Sequence, residues 1–222
     1  MPETYYLDEL YPLQDKILKT IEPLDLDFYL SGGTALGRCY LNHRYSDDLD
    51  FFVNRQKNFK EQCTTAVDVL KKRWECDVST GSDTFMRIFV EAEKISLKID
   101  FVNDVPSRFG DLTKSPIFHR IDSWRNILSN KICALSRLEA KDVVDIVFIA
   151  RTYRFDWETI VAEAKEKDLW VDPIEICRIL HQFPTALLKT IKWIKKVEIE
   201  ELKRQIDAMH DDIFNGATNS LV

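Results

Sequence analysis

Apolar residues recur at spacings of three and four through Leu7, Leu10, Leu13, Ile17 and Ile21. One such stripe predicts a helix over 5–21, which Pro23 ends. Residues 28–30 then make a short apolar strand that runs into Ser31-Gly32-Gly33-Thr34, with a helical stretch through Tyr40. A polar turn over 42–46 leads to a second strand over 48–53. A helix is predicted over 59–74, with Ala66, Val69 and Leu70 on its apolar side. Residues 86–90 and 95–102 are rich in β-branched and aromatic side chains and read as strands, joined by the polar connection 91–94.

From Ser123, a plausible helix cap, the pattern turns helical. Segments 125–138, 141–153, 157–165, 173–181, 184–194 and 198–214 are predicted helices, and the unpatterned tail 215–222 is expected to fray. Strands first and helices after predict an α+β fold. A mixed sheet flanked by helices is expected over 1–122, and a helical bundle over 123–222.

The charge of the chain narrows the function classes. A net charge of −6 disfavours broad coating of nucleic acid, which needs a surplus of Lys and Arg. The deficit sits in the front: residues 1–122 carry 16 basic and 21 acidic side chains, and residues 123–222 carry 15 and 16. Five scattered cysteines with no Cys-x-x-Cys pair argue against a disulfide framework or a zinc site and point to a cytoplasmic protein. The first six residues lack a basic region followed by an apolar run, so no signal peptide is expected. No run of about 18 uncharged apolar residues is present, so no membrane span is expected either.

Candidate chemistry concentrates over 31–53. Paired glycines let backbone approach a ligand closely, and the first amides of a helix attract anions, although a tight strand-to-helix turn uses the same residues. Asp48 and Asp50 are two apart on a strand and point to one side, away from Leu49 and Phe51. Two adjacent carboxylates repel, and a divalent ion relieves this, with Mg²⁺ best suited to oxygen ligands. Asp100 repeats the anomaly inside an apolar strand. Either Lys98 on the same strand face neutralises it, or it completes a three-carboxylate metal site.

These residues carry a resemblance. Ser31-Gly32-Gly33-Thr34, then Asp48-x-Asp50 opening an apolar strand, then Asp100 on a later strand, is similar to the DNA polymerase β-like nucleotidyltransferase pattern. More narrowly, residues 30–36 with His43-Arg44-x-Ser46-x-Asp48-Leu49-Asp50-Phe51-Phe52 resemble the AbiEii/AbiGii toxin branch of that superfamily. The resemblance implies transfer of a nucleoside monophosphate from an NTP such as ATP to an acceptor hydroxyl. Asp48, Asp50 and Asp100 would bind two Mg²⁺ ions, and Asp100 would orient or deprotonate the acceptor. Ser31, Gly32, Gly33, Thr34 and Arg44 would hold the triphosphate. The acceptor is expected to be tRNA, a protein or a small molecule, and a cognate antitoxin is an implied partner.

The helical half extends the match. Lys131 falls in the apolar stripe formed by Ile127, Leu128 and Leu135, where it either snorkels to water or aims at triphosphate oxygens from the cleft that the helical domain completes. Asp142 and Asp145 share a face of an otherwise apolar helix and need partners such as Lys131, Arg137 or Lys141. The spacing of Lys131, Arg137, Lys141-Asp142 and Asp145 resembles the family's helical motif, which implies that Lys131 is catalytic and that Lys131 and Asp142 contact nucleotide. Arg44 reads either as a phosphate ligand or as an ordinary exposed turn arginine, and His43 as a solvent-facing histidine. A silent nucleotide-binding or antitoxin-like relative is the rival reading. Its expected mark is loss of an acid or a glycine, and all are present.

Overall fold

In the computed structural model, which describes residues 3–222, seven strands among the described residues form one mixed sheet of order β3-β4-β5-β2-β1-β7-β6. Two units are distinguished. One contains Met1–Cys39 and Tyr45–Ser123, the other Tyr40–Arg44 and Trp124–Val222. The Met1-Pro2 start, read above for a leader, lies outside the described residues.

The first unit carries the sheet. β2 (Leu49–Asn54) alternates buried and half-buried positions, as a strand with one covered face must. β2 pairs antiparallel with β1 (Tyr29–Ser31) and parallel with β5 (Ile95–Asp104). β4 (Phe85–Ala92) pairs antiparallel with β5, and β3 (Glu75–Gly81) with β4. On the other side β7 (Phe118–Ile121) runs parallel to β1 and carries β6 (Thr113–Ser115). Leu49 and Phe51 of β2, Ile99 and Phe101 of β5 and Ile88 of β4 are fully buried beneath Phe28 and Phe59. Phe51 stacks on Phe101 with ring centroids 5.4 Å apart. Burial of each such side chain contributes about 1.5–3 kcal/mol, so this face anchors the sheet and leaves the opposite face for chemistry. α1 (Tyr11–Ile21) and α3 (Phe59–Leu70) pack against one another.

The predicted helix over 5–21 is in fact a π-helical turn, Tyr5–Leu10, followed by α1. Pro12 lacks an N–H and its ring crowds the carbonyl four residues back, so the ladder widens there. The Tyr11 amide accordingly bonds to Tyr6 rather than to Leu7. This register change leaves Leu7 exposed and buries Tyr6 instead. Strands β3, β6 and β7 were not predicted. β3 is a polar, mostly exposed edge strand without alternation, and the other two span only a few residues. Burial pushes the Cys63 thiol up to about 12, which leaves it an inert core group.

The second unit is helical: α4 (Trp124–Ala134), α5 (Ala140–Ala150), α6 (Trp157–Lys167), α7 (Pro173–Gln182) and α8 (Ile199–Phe214). α4 contacts α5 and α6, and α7 pairs with α8. The segment predicted as a helix over 184–194 is a 3₁₀ helix, Thr185–Thr190, followed by irregular chain. No helix among the described residues is long and apolar enough to cross a membrane.

The tail does not fray. Gly216 at φ +60° ends α8, and the chain then returns to the start of α6, with Trp157 donating to the Ala217 carbonyl and Asn219 to the Phe155 carbonyl. The buried Asn219 amide donates to the carbonyls of Ala150 at 2.6 Å and Tyr153 at 2.9 Å. A pattern search sees no period there because side-chain-to-backbone bonds, not an apolar face, hold the segment. Asn219→Ala orphans two carbonyls and is expected to lower unfolding free energy by about 1–3 kcal/mol in urea titration.

Candidate active site

Strand register assembles the first group. Ser31 pairs with Asp50 across β1 and β2, Asp50 with Asp100 across β2 and β5, and Asp100 with Arg87 across β5 and β4. Side chains at paired positions leave the same face, so Arg87, Asp100, Asp50 and Ser31 form one row across four strands. Asp48, two residues before Asp50, and Lys98, two before Asp100, extend it into a second row.

The turn after β1 is shaped around Asp50. Gly32 sits at φ +67°, and a Cβ there would meet the Asp50 Oδ2 at 2.2 Å. Both backbone conformation and space therefore demand glycine at this position. From Gly32 the chain enters α2 (Gly32–Leu36) and a π-helical turn, Gly37–Leu41. The hydroxyls of Ser31 and Thr34, expected at a triphosphate, are instead buried and engaged within the unit. Ser31 Oγ donates to the buried Asp122 carboxylate at 2.7 Å, and Thr34 Oγ1 donates to the Asp48 carbonyl. These bonds fix the turn and the approach to β2.

The three carboxylates share a face but are matched by cations. Arg87 grips Asp100 with both arms, Nε to Oδ1 at 2.7 Å and Nη2 to Oδ2 at 2.8 Å. Lys98 Nζ lies 2.7 Å from Asp48 Oδ2 and 3.8 Å from Asp100 Oδ2. Burial opposes the charge on Lys98, yet the Asp48 bond and the charges of Asp48, Asp100 and Asp50 outweigh it and raise its pKa. The Asp100 hydrogen bond likewise raises Arg87. Among the described residues no three His, Cys, Asp or Glu side chains stand ready to hold a metal ion. The expected convergence of Asp48, Asp50 and Asp100 is thus a shared face with its own counter-ions.

The second unit holds a buried ion cluster. Asp145, fully buried on α5, accepts from Arg44 Nε at 2.7 Å and from His43 Nε2 at 2.8 Å on Oδ1. Its Oδ2 accepts from Arg44 Nη2 and from Lys131 Nζ, each at 2.7 Å. Lys131 also reaches Asp142 Oδ1 at 2.7 Å, and Asp142 Oδ2 meets Arg137 at 3.3 Å. Arg44 is therefore a buried arginine locked in an ion pair, not an exposed turn residue, and His43 is buried rather than solvent-facing. The reason is topological: Tyr40–Arg44 belongs to the helical unit, where Ile194 donates to the His43 carbonyl at 3.1 Å. Lys131 is buried and oriented by two carboxylates, so snorkelling to water does not describe it.

Burial works against ionising Asp145, but Arg44 and Lys131 hold its carboxyl well below the usual range. Burial lowers His43 below 6.5 despite Asp145, consistent with an Nδ1 that is buried without a hydrogen-bond partner.

Sequence reasoning missed Arg87, Asp122 and His43 as members of these groups. Arg87 was within reach: a hairpin turning at 93–94 pairs residue 87 with residue 100.

The sheet thus sets a strand–Gly-Gly–helix turn against an Asp-x-Asp strand, with a further aspartate on the parallel neighbour. The chain belongs to the family described as nucleotidyl transferase AbiEii toxin, type IV TA system, whose model matches residues 16–219. It is 29% identical over 188 residues to the uncharacterized protein aq_aa25 of Aquifex aeolicus, covering 81% of this chain and 86% of that one. Its fold is similar to JHP933 of Helicobacter pylori, at 22% identity and TM-score 0.62 over 93% of both chains. It is also similar to MenT4, the nucleotidyltransferase toxin of Mycobacterium tuberculosis, at 15% identity and TM-score 0.63 over 96% of this chain and 85% of that one.

Two outcomes test the ion cluster. Asp145→Asn leaves Arg44 and Lys131 buried without their shared carboxylate and is expected to cost about 3–5 kcal/mol in chemical denaturation. For His43, the folded pKa lies below the unfolded one, so the folded state binds the proton less readily. Stability is full above pH 6.5 and falls as pH drops below it toward the lowered folded value. A His43→Gln variant is expected to flatten that limb of a Tm-against-pH profile.

Proposed function

We propose that this enzyme moves a nucleoside monophosphate from a nucleoside triphosphate, ATP among the candidates, to an acceptor hydroxyl in a Mg²⁺-dependent reaction. The observation that carries the reading is the Asp50 carboxylate lying against the bare Cα of Gly32, with Asp100 beside it in register. The donor set fits a hard divalent cation. Three carboxylates share one face, and an ammonium already stands between Asp48 and Asp100, where a cation is needed.

Asp48, Asp50 and Asp100 would hold the metal, two ions in the full reading. When bound, it neutralises triphosphate charge and acidifies the acceptor hydroxyl. Asp100, kept in orientation by Arg87, takes the acceptor proton as the hydroxyl attacks the α-phosphorus and pyrophosphate departs. The Gly32 and Gly33 backbone provides close-approach donors to the triphosphate, while Ser31 and Thr34 act indirectly by fixing Asp122 and the Asp48 carbonyl. In the second unit, Asp142 and Asp145 hold Lys131 and Arg44 in one buried ion cluster, at positions to which the family resemblance would assign nucleotide contact. The acceptor, whether tRNA, protein or small molecule, is the species that takes label, and the type IV family description supports a cognate antitoxin as partner.

The test uses purified protein with Mg²⁺, each α-labelled nucleoside triphosphate in turn, and total RNA or cell extract. The wild type is expected to label an acceptor and release pyrophosphate. Asp48→Ala and Asp50→Asn are expected to lose about 10³-fold or more, and Gly32→Ala at least tenfold. Label that survives Asp48→Ala sinks the metal assignment. Folded protein yielding neither label nor pyrophosphate with any mixture replaces this reading with a silent nucleotide binder.

A further inference from the structure

Lys98 and Arg87 both neutralise the carboxylate face, yet their geometries differ. Arg87 makes two bonds to one carboxylate through a planar fork, Nε to Oδ1 and Nη2 to Oδ2 of Asp100. That arrangement fixes a side chain without using all its lone pairs. Lys98 instead presents a single ammonium, 2.7 Å from Asp48 and 3.8 Å from Asp100, on a flexible four-carbon stem. Its side chain is 26% exposed, so a path to water is open.

Occupancy points the same way. The Lys98 ammonium sits on the Asp48 oxygen and beside the Asp100 oxygen that a divalent cation would use, so the two cations would compete for one place.

We propose that Lys98 is a built-in counter-ion that bridges Asp48 and Asp100 in the metal-free protein and is displaced when a divalent cation binds. This rests on the metal reading of Asp48, Asp50 and Asp100 given above. Lys98 is thus a positioning residue. It keeps the acidic face ordered before metal arrives, and it sets metal affinity by competing for the same oxygens. Arg87 stays on Asp100 throughout.

The experiment measures Mn²⁺ binding to the full chain without nucleotide, by the electron paramagnetic resonance signal of the free ion. It compares wild type, Lys98→Met, Lys98→Gln, Lys98→Arg and Asp50→Asn. Removing the competing ammonium is expected to tighten Mn²⁺ binding roughly five- to tenfold in Lys98→Met and Lys98→Gln. The charge-retaining Lys98→Arg is expected to stay within about twofold of wild type, and Asp50→Asn to lose binding. In thermal melts, Mg²⁺ is expected to raise the Tm of the neutral variants more than that of wild type, because metal then supplies the missing charge. Equal or weaker Mn²⁺ binding by both neutral variants, with Asp50→Asn still defective, overturns the counter-ion role and leaves the metal reading standing. Mn²⁺ binding indifferent to Asp50→Asn removes the metal reading and this inference with it. If the neutral variants unfold without metal, refolding on Mn²⁺ addition supports the exchange, and failure to refold overturns it.

Discussion

A carboxylate withdrawn from water must find a cation within hydrogen-bond reach, and this demand organises both units. On the sheet it joins strands: Asp100 on β5 is matched by Arg87 on β4, and Asp48 at the head of β2 by Lys98 on β5. In the helical unit it joins distant stretches of chain, since Asp145 on α5 draws in Arg44 and Lys131. Each group solves the same electrostatic problem with different permanence. The helical cluster is almost closed to water, so its pairs are structural. The sheet group is partly open, so one of its cations is replaceable.

Backbone geometry makes the sheet group possible. A left-handed residue at the end of β1 brings bare backbone against Asp50, and the Thr34 hydroxyl ties the turn to the carbonyl of Asp48. The aromatic layer beneath, with Phe51 on Phe101, fixes the register that sets Asp50 beside Asp100. The apolar face thereby determines the geometry of the charged one, because a slip of one residue would send every acid inward.

Much of this was legible from period-two alternation. It identified β2 and β5, put Asp48 and Asp50 on one side, and singled out Lys98 as a partner for Asp100. What escaped was information carried by pairing rather than by period. Arg87 acquires meaning only through hairpin register, and β3 is a polar edge with no pattern to detect. His43 read as solvent-facing and Arg44 as either a phosphate ligand or an exposed turn arginine, because nothing local reveals that a helix a hundred residues later encloses them. The carboxy-terminal tail looked unstructured for a related reason, being held by amide-to-carbonyl bonds that leave no trace in hydropathy.

The five residues Tyr40–Arg44 have a consequence for modularity. Although the chain reads as a sheet-bearing half followed by a helical half, the second unit takes its central arginine from a five-residue segment that lies within the front half of the sequence. A fragment beginning at Trp124 would carry Asp145 and Lys131 but not the guanidinium that completes them. The two halves are therefore not interchangeable cassettes: a gene fusion, truncation or domain graft cut at the visible boundary divides a single electrostatic unit.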